Sequence, residues 1–558
     1  MAKFIRLILF IVFPLFFAGC ALQLMPGGGE VDSVPPTIVE TYPVNGTINF
    51  SDDYFEVDFS EYVDRRTFRP SLFISPFIEG GIEPEWSGTS VRVYFPSALR
   101  ENTTYNITIG TGIADYNNGN KMSGAFTLSF STGSQIDTKF ITGRVFDKEP
   151  QGFMILAYKI IPSDTIETIL KRKPDFISQS GVEGTYSLNG LASATYALFA
   201  IKEEFQDLKY DLNKEPLGIP KTLVDLSGVD TAHYEINFTT TLFDTTAPRL
   251  ISAVMPDVHH ILATFTEELD TSSIVPTNFF VLSSNKELPI TYAYKGRAKE
   301  FDYLFSVKDS IAGDREFSFF ARGIKDKANN TLFADTVSLI TGERPDTTKP
   351  LLYTTEPEIS TQLLLDSAAI KLRFDDGVDI ASLSRRVILK DSLDIPIMIT
   401  THRADDASLW VKAQNPLQSK MAYSLTVDLK GIGDAAGNTL DTVLTKKYVS
   451  INEIDLSGFS GTLKTVDTTS TMRVMLIHQN PSTPAIYESD VVNGAFRFDR
   501  ILQGKYLVLC YFDKNNNKVF DKGSLIPFSF SEDFRVLSGE LNVPARWAVT
   551  DANFTITK

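Results

Sequence analysis

Cysteine is almost absent from this chain: its 558 residues include two, Cys20 and Cys510. A framework of disulfide bonds is therefore excluded, and each folded module has to be held by its apolar core. Cys510 alternates with apolar neighbours, which predicts a small core residue. The sequence also lacks the H-E-x-x-H, C-x-x-C and G-x-S-x-G motifs and a phosphate-binding glycine loop. These absences predict that the protein is not an enzyme.

Positive charge and long apolar runs are also scarce. The 53 lysine and arginine residues stand against 69 aspartate and glutamate residues, so the formal net charge is −16. Such a surface repels phosphates, which argues against a nucleic-acid partner, and it suits divalent cations. After the N-terminal region no run reaches about 18 consecutive apolar residues, so no transmembrane helix is expected there.

The first 20 residues carry signals of export and lipidation. Lys3 and Arg6 precede the apolar run 7–17, which is too short for a stable membrane span. The end of that run, 17-FAGC-20, resembles the lipobox of bacterial lipoproteins, whose signal peptidase cleaves before a lipidated cysteine. Residues 1–20 are therefore expected to be a lipoprotein signal peptide with its lipobox Cys20, and 21–31 a flexible tether. The alternative is an ordinary secretory signal.

The lipobox resemblance also predicts a location. Ala21 gives no sign of retention at the inner membrane, so the expected place is the bacterial outer membrane. The lipid on Cys20 would be the membrane anchor. Whether the protein faces the cell surface or the periplasm stays open.

Three stretches of the chain repeat the same three elements in the same order. Each stretch opens with D-[ST]-x-x-P, continues with F-x-[ED]-x-[VL]-D-x-x-[ST]-[FIL] and closes with G-I-x-D followed by Asn- or Gly-containing residues. The copies are 32–36, 59–68 and 112–122; 244–248, 265–274 and 323–332; and 346–350, 374–383 and 431–440. Shared elements at similar separations indicate a triplicated domain of about 100 residues.

Two other segments match each other instead. Residues 184–200 and 494–510 keep Gly, aromatic, apolar and Tyr positions at identical spacing, and each follows a short Gly-centred strand candidate. The chain is therefore predicted to hold five modules in the order A–B–A–A–B. Their boundaries are 32–133, 134–243, 244–345, 346–452 and 453–558.

Apolar and polar residues alternate through all five modules, as at Phe55, Val57 and Phe59. Such alternation, bounded by turn residues, predicts half-buried antiparallel strands, and short regular strands favour β-sandwiches. In each A module the leading Phe is expected in the core, and the Asp five residues later is placed to N-cap one helical turn. The closing element predicts a tight turn with positive φ. Residues 164–173 alone are typical of a helix.

Two resemblances follow from these motifs. The A modules resemble SbsA-type bacterial Ig-like domains, through the D-x-x-G-N turn of 434-DAAGN-438 and its variants. The B modules are similar to carboxypeptidase-regulatory-like domains, also called prealbumin-like or Cna-B-like, through their G-x-[YF]-x-[LF]…Tyr strand pair. The resemblances imply an all-β fold of tandem Ig-like β-sandwich modules in an elongated array, and no catalytic activity. Fold resemblance by itself does not specify a role.

One loop near the C-terminus has the pattern of a calcium site. Asp513, Asn515, Asn517, the Val519 carbonyl and Asp521 occupy positions 1, 3, 5, 7 and 9 of a calcium loop. Lys518 replaces the usual Gly, however, and Ser524 replaces the bidentate Glu at position 12. The sequence therefore predicts either a structural calcium ion of modest affinity or a hairpin loop with Asn in left-handed positions.

The sequence contains three further kinds of candidate site. Acidic pairs at Glu267–Glu268, Asp375–Asp376 and Asp405–Asp406 are interpreted as structural or solvated, because the first two lie in the triplicated element. Trp86 and Trp547 are candidate aromatics for ligand binding, with core or edge packing as the alternative. Ser33, Thr245 and Thr347 resemble acceptors of bacterial O-glycosylation at module junctions, although Asp-Ser and Asp-Thr are also common in turns.

Together these features predict a non-enzymatic, outer-membrane-anchored lipoprotein that serves as a surface adhesion, spacer or envelope scaffold module. The alternative is a glycan-binding lipoprotein of a nutrient-uptake system. The expected partners are the membrane, through the N-terminal lipid, and an unknown protein or glycan. A structural Ca²⁺ is the expected cofactor of the 513–521 loop.

Overall fold

A computed structural model gives the fold of residues 31–78, 80–204, 208–228, 233–283, 286–311, 316–358, 362–366, 368–465, 471–480 and 485–556. The predicted signal peptide, Cys20 and nearly all of the predicted tether lie outside these residues. Within them, no helix is long and apolar enough to cross a membrane. The chain divides into two compact units, Met1–Leu208 with Leu223–Phe238, and Lys209–Thr222 with Thr239–Lys558.

The predicted all-β architecture is confirmed. In the first module, a sheet of four strands packs against a sheet of three around a core of Phe, Val and Ile side chains. Phe55, Val57 and Phe59 all point into that core, as their alternation predicts. In sheet order the strands are Ile38–Tyr42, Tyr54–Phe59, Ser90–Tyr94 and Pro84–Ser87, then Leu72–Ser75, Thr104–Ile109 and Phe126–Ser131.

The second module completes the first compact unit. Its strands there enclose a separate core with Tyr186 and Tyr196 at its centre. The short helix Ile166–Ile169 begins at a capping box on Thr165 and lies inside the segment predicted to be helical. The strands are Lys139–Phe146, Met154–Lys159, Phe176–Gln179, Thr185–Leu191, Thr195–Ile201, Val224–Asp225 and His233–Glu235.

The third and fourth modules lie in the second unit, each with its own apolar core. The third has one continuous sheet, in the order Lys286–Pro289, Phe279–Ser283, Phe317–Lys325, Thr331–Ile340, Leu250–Val254, His260–Phe265, Asp302–Ser306 and Tyr292–Lys295. The fourth has two sheets, Leu352–Glu356, Ala369–Phe374, Ser408–Ala413 and Ile399–Asp405, and Pro396–Ile397, Val387–Asp391, Ala422–Asp428 and Val443–Val449.

The fifth module closes the second unit with a core that includes Cys510, which is fully buried as predicted. Burial also raises the pKa of this thiol to about 12, so it is an inert core residue. The strands are Ala495–Ile501, Ser457–Thr465 and Val549–Ile556; Ile486–Asp490, Thr471–His478, Gly504–Asp513 and Phe534–Val543; and Ser524–Leu525 with Phe528–Ser529. Leu217 and Gly218 of the same unit pair with Thr241 and Thr240.

The short helical turns fall where the repeats predict them. Asp64, Asp270 and Asp379 each N-cap one turn and accept a backbone N–H within it. The leading Phe of each repeat is buried, and the closing turns contain positive φ at Gly119, Asn329 and Gly437. The helical segments are Arg65–Thr67, Arg69–Ser71, Thr271–Ser273, Pro276–Asn278, Ile380–Leu383, Ser384–Arg386 and Glu453–Asp455.

The strand Thr104–Ile109 departs from the predicted half-burial, because all six of its residues are buried. Its apolar side chains enter the core of the first module, and its polar side chains face the second module. Asn106 donates to the Gly190 carbonyl at 3.2 Å, and Thr108 donates to the Ile177 carbonyl at 3.1 Å. The two modules of this unit are therefore joined by directed hydrogen bonds.

First and last strands pair in parallel in two modules of the second unit. In the third, Ala253 and Val254 lie opposite Leu339 and Ile340. In the fifth, the strand Ser457–Thr465 lies along Val549–Ile556. All other strand pairs in these two modules are antiparallel among the described residues.

Candidate functional site

The loop after the strand Gly504–Asp513 is a tight, hydrogen-bonded turn. The buried Asp513 carboxylate accepts the backbone N–H groups of Asn517, at 3.1 Å, and Lys518, at 2.9 Å. The loop reverses through positive φ at Asn516 (57°) and Lys518 (63°). The hairpin interpretation predicted Asn residues with left-handed backbone conformations. Asn516 agrees with it, and Lys518 takes the same conformation although it is not an Asn.

The other predicted ligands lie on one side of this turn. The amide groups of Asn515 and Asn517 both donate to the Asp521 carboxylate, at 2.7 and 3.0 Å. Their oxygens accept backbone N–H groups within the loop. Asp521 and the two amides therefore lie together, while Asp513 binds the loop backbone, and each amide would have to rotate to present its oxygen to a cation. Calcium binding stays a prediction.

Sequence reasoning missed a further carboxylate at this loop. Glu532 is buried and accepts the backbone N–H of Lys514 at 2.8 Å and that of Asp521 at 3.1 Å. Burial raises the pKa of Glu532, and the charges of Asp521 and Asp513 add to the shift. The calcium pattern has Ser524 at position 12, and Glu532 is an acid beside the loop that the pattern does not include. No spacing rule could have found it, since it lies outside the 12-residue pattern, two residues before the strand Phe534–Val543.

The segment that follows the loop is held against residues 209–222 of the same unit. Lys221 pairs with Asp533 at 3.0 Å, and the Ser531 N–H donates to the Pro220 carbonyl at 3.1 Å. The segment after the loop, which includes Glu532, thus lies beside residues 209–222 and is held there by these two contacts.

The two candidate aromatics have different environments. Trp86 is half-buried and packs on the first core, with its ring 6.2 Å from that of Phe59 and 5.4 Å from that of Phe68. Trp86 therefore packs against the core, which was the alternative to ligand binding. Trp547 is 76% exposed, so its ring is free to bind a ligand.

The three candidate glycosylation residues, Ser33, Thr245 and Thr347, are all exposed. The Thr245 hydroxyl also hydrogen-bonds to Asn213 at 3.1 Å. Exposure is required of an acceptor, and modification of these residues stays a prediction.

The acidic pairs take part in structural contacts. Asp406 joins the third and fourth modules by accepting the Ala293 N–H at 2.9 Å, and Asp405 accepts the Lys295 N–H. Glu268 forms ion pairs with two lysine side chains. Their structural interpretation is confirmed for these residues.

A second cluster at this joint was not foreseen. His260 of the third module contacts Asp257 through Nδ1 and Asp376 of the fourth module through Nε2, both at 2.9 Å. Burial alone would lower the pKa of His260, but its hydrogen bonds to the two carboxylates raise it to about 10. The ring is therefore an imidazolium that donates to both acids. Tyr294 donates a further hydrogen bond to Asp376 at 3.0 Å.

Comparison with known proteins agrees with the sequence resemblance for two modules. The model of the bacterial Ig-like domain family matches residues 32–132 and 346–450. These two A modules are similar in sequence to bacterial Ig-like domains. The third A module has the same repeat elements and lies outside the matched residues. No curated protein matches the chain.

Similar solved structures include the N-terminal part of the bacterial S-layer protein SbsC, at 12% identity over 36% of this chain and 44% of that one, with a TM-score of 0.17. Domains 1–6 of SbsC are 10% identical over 87% of this chain and 66% of that one, with a TM-score of 0.15. The major pilin subunit BcpA of Bacillus cereus is 9% identical over 75% and 98%, with a TM-score of 0.13. At these scores the assignment of the fold depends on the observed strands and the family match.

Proposed function

We propose that this chain is a non-enzymatic lipoprotein of the bacterial outer membrane, anchored through Cys20, whose modules serve as a spacer or scaffold. The observation that supports a spacer is the way neighbouring modules are joined. In each unit one joint is closed by directed hydrogen bonds, through Asn106 and Thr108 in the first unit and Asp405 and Asp406 in the second. Joints of this kind hold modules at a fixed angle, which a spacer requires.

The distribution of polar clusters supports a non-enzymatic role. A groove of about 540 Å³ between the first and second modules contains Lys121, Glu149 and Lys202 among its lining residues. The Lys202 amine donates to the carbonyl oxygens of Glu149 and Gln151, at 3.3 and 2.6 Å, and is thus committed to the backbone. Its lining includes no Ser–His, Cys–His or paired-carboxylate arrangement.

The anchor is tested by fractionation of cells that express the full chain. Cys20→Ser should move the protein from the membrane pellet to the soluble fraction and abolish incorporation of labelled palmitate. Cys510→Ala, which changes the other cysteine in a buried position, should leave both unchanged. Equal membrane association of Cys20→Ser and wild type would reject the lipid anchor. Crosslinking on intact cells, combined with surface proteolysis, then identifies the partner and the exposed face.

For the 513–521 loop, we propose a structural calcium ion held by Asp513, Asp521, the Val519 carbonyl and the two Asn amides, with Glu532 as a further carboxylate. Two observations support this site: both Asn amide groups lie against the Asp521 carboxylate, and the buried Glu532 carboxylate contacts the loop backbone at Lys514 and Asp521. The calcium-induced rise in melting temperature should be reduced in Asp521→Asn. An equal rise in wild type and Asp521→Asn would return the loop to a turn.

A glycan-binding role is favoured by one observation, the exposed ring of Trp547. Affinity electrophoresis in gels that contain polysaccharides tests it. Retardation that Trp547→Ala abolishes would support this function, and unchanged mobility of both proteins across the panel would reject it.

A further inference from the structure

The elements shared by the three A modules meet at one place in each module. The Asp of the opening element, an acid of the middle element and the Asp of the closing turn lie together in space. In the first module these are Asp32, Glu61 and Asp115, which we call the first acidic triad. In the third module, which is the second of the A type, they are Asp244, Glu267 and Asp326, the second acidic triad. Sequence alignment of the repeats places Asp346, Asp376 and Asp434 in the equivalent positions of the fourth module.

The carboxylates of the first two triads are close enough to share one ion. One oxygen from each acid lies within 4.8 Å of one oxygen from each of the other two. Calcium binds oxygen at about 2.3–2.6 Å, so oxygens on opposite sides of one ion are separated by up to about 5 Å. Three oxygens at these separations can all contact a single cation.

The closing turns hold their Asp side chains in place. Asp115 is buried and accepts the backbone N–H groups of Asn118, Gly119 and Asn120, at 2.5 to 3.0 Å. Asp326 is likewise buried and accepts the N–H and the side-chain amide of Asn330, both at 2.8 Å. These acids are therefore fixed before any ligand arrives.

Asn120 and Asn330 also tie the closing turn to the opening element. Asn120 donates to the Asp32 carbonyl at 2.9 Å, and Asn330 donates to the Asp244 carbonyl at 3.0 Å. The closing turn, which contains Asp115 or Asp326, thus also holds the backbone of Asp32 or Asp244 in place.

Among the described residues, none of the six acids in these two triads forms an ion pair with Lys, Arg or His. Neighbouring Glu268 shows the contrast, since it is paired with both Lys295 and Lys327. Three converging carboxylates without a positive partner repel one another, and a cation would remove that repulsion.

The fourth module provides an independent observation that the site takes a cation. There Asp376 hydrogen-bonds to the Nε2 of His260 of the preceding module at 2.9 Å, and Asp346 lies 4.0 Å from its Nδ1. Two of the three repeat positions that have no positive partner in the first two copies therefore lie beside a positively charged group in the fourth module.

We propose that the first and second acidic triads each bind a hard divalent cation of the calcium type, and that the His260 imidazolium takes the place of that cation in the fourth module. The ligands are carboxylate oxygens, which Ca²⁺ and Mg²⁺ prefer over softer donors. Ca²⁺ is the better fit, because it accepts irregular coordination with water completing its shell, whereas Mg²⁺ demands near-ideal octahedral geometry.

Calcium binding to the full chain, purified in detergent, tests this proposal by isothermal titration with CaCl₂. Glu61→Gln and Glu267→Gln remove one charge each without changing side-chain shape. Each should lower the number of calcium ions bound per chain by one, and the double variant should lower it by two. The matched control Glu268→Gln should leave the number unchanged, because Glu268 lies outside the triad.

A second readout does not depend on stoichiometry. Without calcium, Glu267→Gln should melt at the same temperature as wild type or higher, since it relieves repulsion. With calcium it should lose the part of the thermal shift that belongs to this site. Retention of the full calcium number in the double variant, or an equal loss in Glu268→Gln, would overturn the proposal. A parallel titration with MgCl₂ should give weaker binding at the same sites.

The result is separable from that for the 513–521 loop. Asp521→Asn removes the loop's calcium and leaves two ions bound to the triads. The Glu61→Gln and Glu267→Gln double variant leaves any ion in the loop. Failure of one site is therefore visible while the other is retained.

Discussion

The second acidic triad and the His260 cluster are two solutions to the same electrostatic problem. At the triad, burial together with the charges of Asp244 and Asp326 raises the pKa of Glu267 to about 7. At the joint of the third and fourth modules, hydrogen bonds to Asp257 and Asp376 instead raise the pKa of His260 to about 10. Where the preceding module supplies a cation, the joint is closed by the chain itself. Where it does not, the acids are left for an ion from solution.

The difference teaches that a repeated element can keep its acids and change their partner. His260 lies at the start of a strand of the third module, outside the repeat elements, so its contribution belongs to the joint. A joint closed by a side chain is permanent over the range in which that side chain is charged. An ion from solution, as we propose for the triads, would instead bind according to its concentration.

The largest expected effect comes from removing the internal cation. His260→Ala leaves the buried Asp376 and the half-buried Asp257 without their positive partner, which typically costs about 3–5 kcal/mol for a buried pair. The calorimetric transition that contains the third and fourth modules should move to lower temperature, and added calcium should restore part of the loss. The control His402→Ala changes an exposed histidine and should have little effect. A His260→Ala protein that melts like wild type would remove the basis of the comparison.

The pH dependence of stability at the same joint tests whether the charge of His260 is responsible. Between the ordinary pKa of 6.5 and the folded value of about 10, the folded state holds a proton on His260 that the unfolded state releases. The stability supplied by His260 should therefore be complete below about pH 6.5 and decline as pH rises towards 10. The difference in unfolding free energy between wild type and His260→Ala, measured from pH 6 to 10, should shrink over this window. A constant difference would mean that the ring contributes through packing alone.

A smaller effect is expected at the 513–521 loop, where the acid is held by backbone donors. Glu532→Ala leaves the N–H groups of Lys514 and Asp521 without their acceptor, at a cost of about 1–3 kcal/mol. Urea unfolding of the full chain measures it. Glu540→Ala, which changes an exposed acid in the strand Phe534–Val543 that follows Glu532, serves as the control. Equal unfolding midpoints for the two variants would show that Glu532 does not organise the loop.

The smallest effects belong to the N-caps, which are alike in all three A modules. Asp64→Ala, Asp270→Ala and Asp379→Ala should each cost about 1 kcal/mol, because each removes an acceptor of a backbone N–H in one helical turn. Thermal unfolding of each variant, beside the matching Asp→Asn variant that keeps the cap, measures the cost. Similar costs in the three modules would separate these shared positions from the triads, whose cation response differs between copies. A loss confined to one module would contradict the equivalence of the repeats.

Local patterns in the sequence predicted the strands and turns well, because their causes are local. The alternation at Phe55, Val57 and Phe59 puts three side chains on one face of a strand, and that face is buried. The capping Asp five residues after Phe59 acts within its own turn. Such features depend on neighbours a few residues away, and the printed sequence contains all of them.

Features that depend on distant residues were not predictable in this way. Glu532 reaches the loop from the segment before the strand Phe534–Val543, and His260 meets Asp376 from another module. The polar face of Thr104–Ile109 reads as solvent-exposed in the sequence, yet the second module covers it. The sequence shows the acids of the triads as repeated residues, but only the fold shows that their carboxylates lie close together. Tertiary contacts set these sites, and no spacing rule encodes them.

The parallel pairing of first and last strands has a mechanical consequence. In the third module the chain enters at Leu250 and leaves at Ile340, at opposite ends of strands that run in the same direction. A pull transmitted along the chain would load the hydrogen bonds between these strands in shear, so that they must break together. An antiparallel pair pulled from one end opens one bond at a time. In the third module, a pull on the chain ends would therefore load the pairs of Ala253 with Leu339 and Val254 with Ile340 in shear.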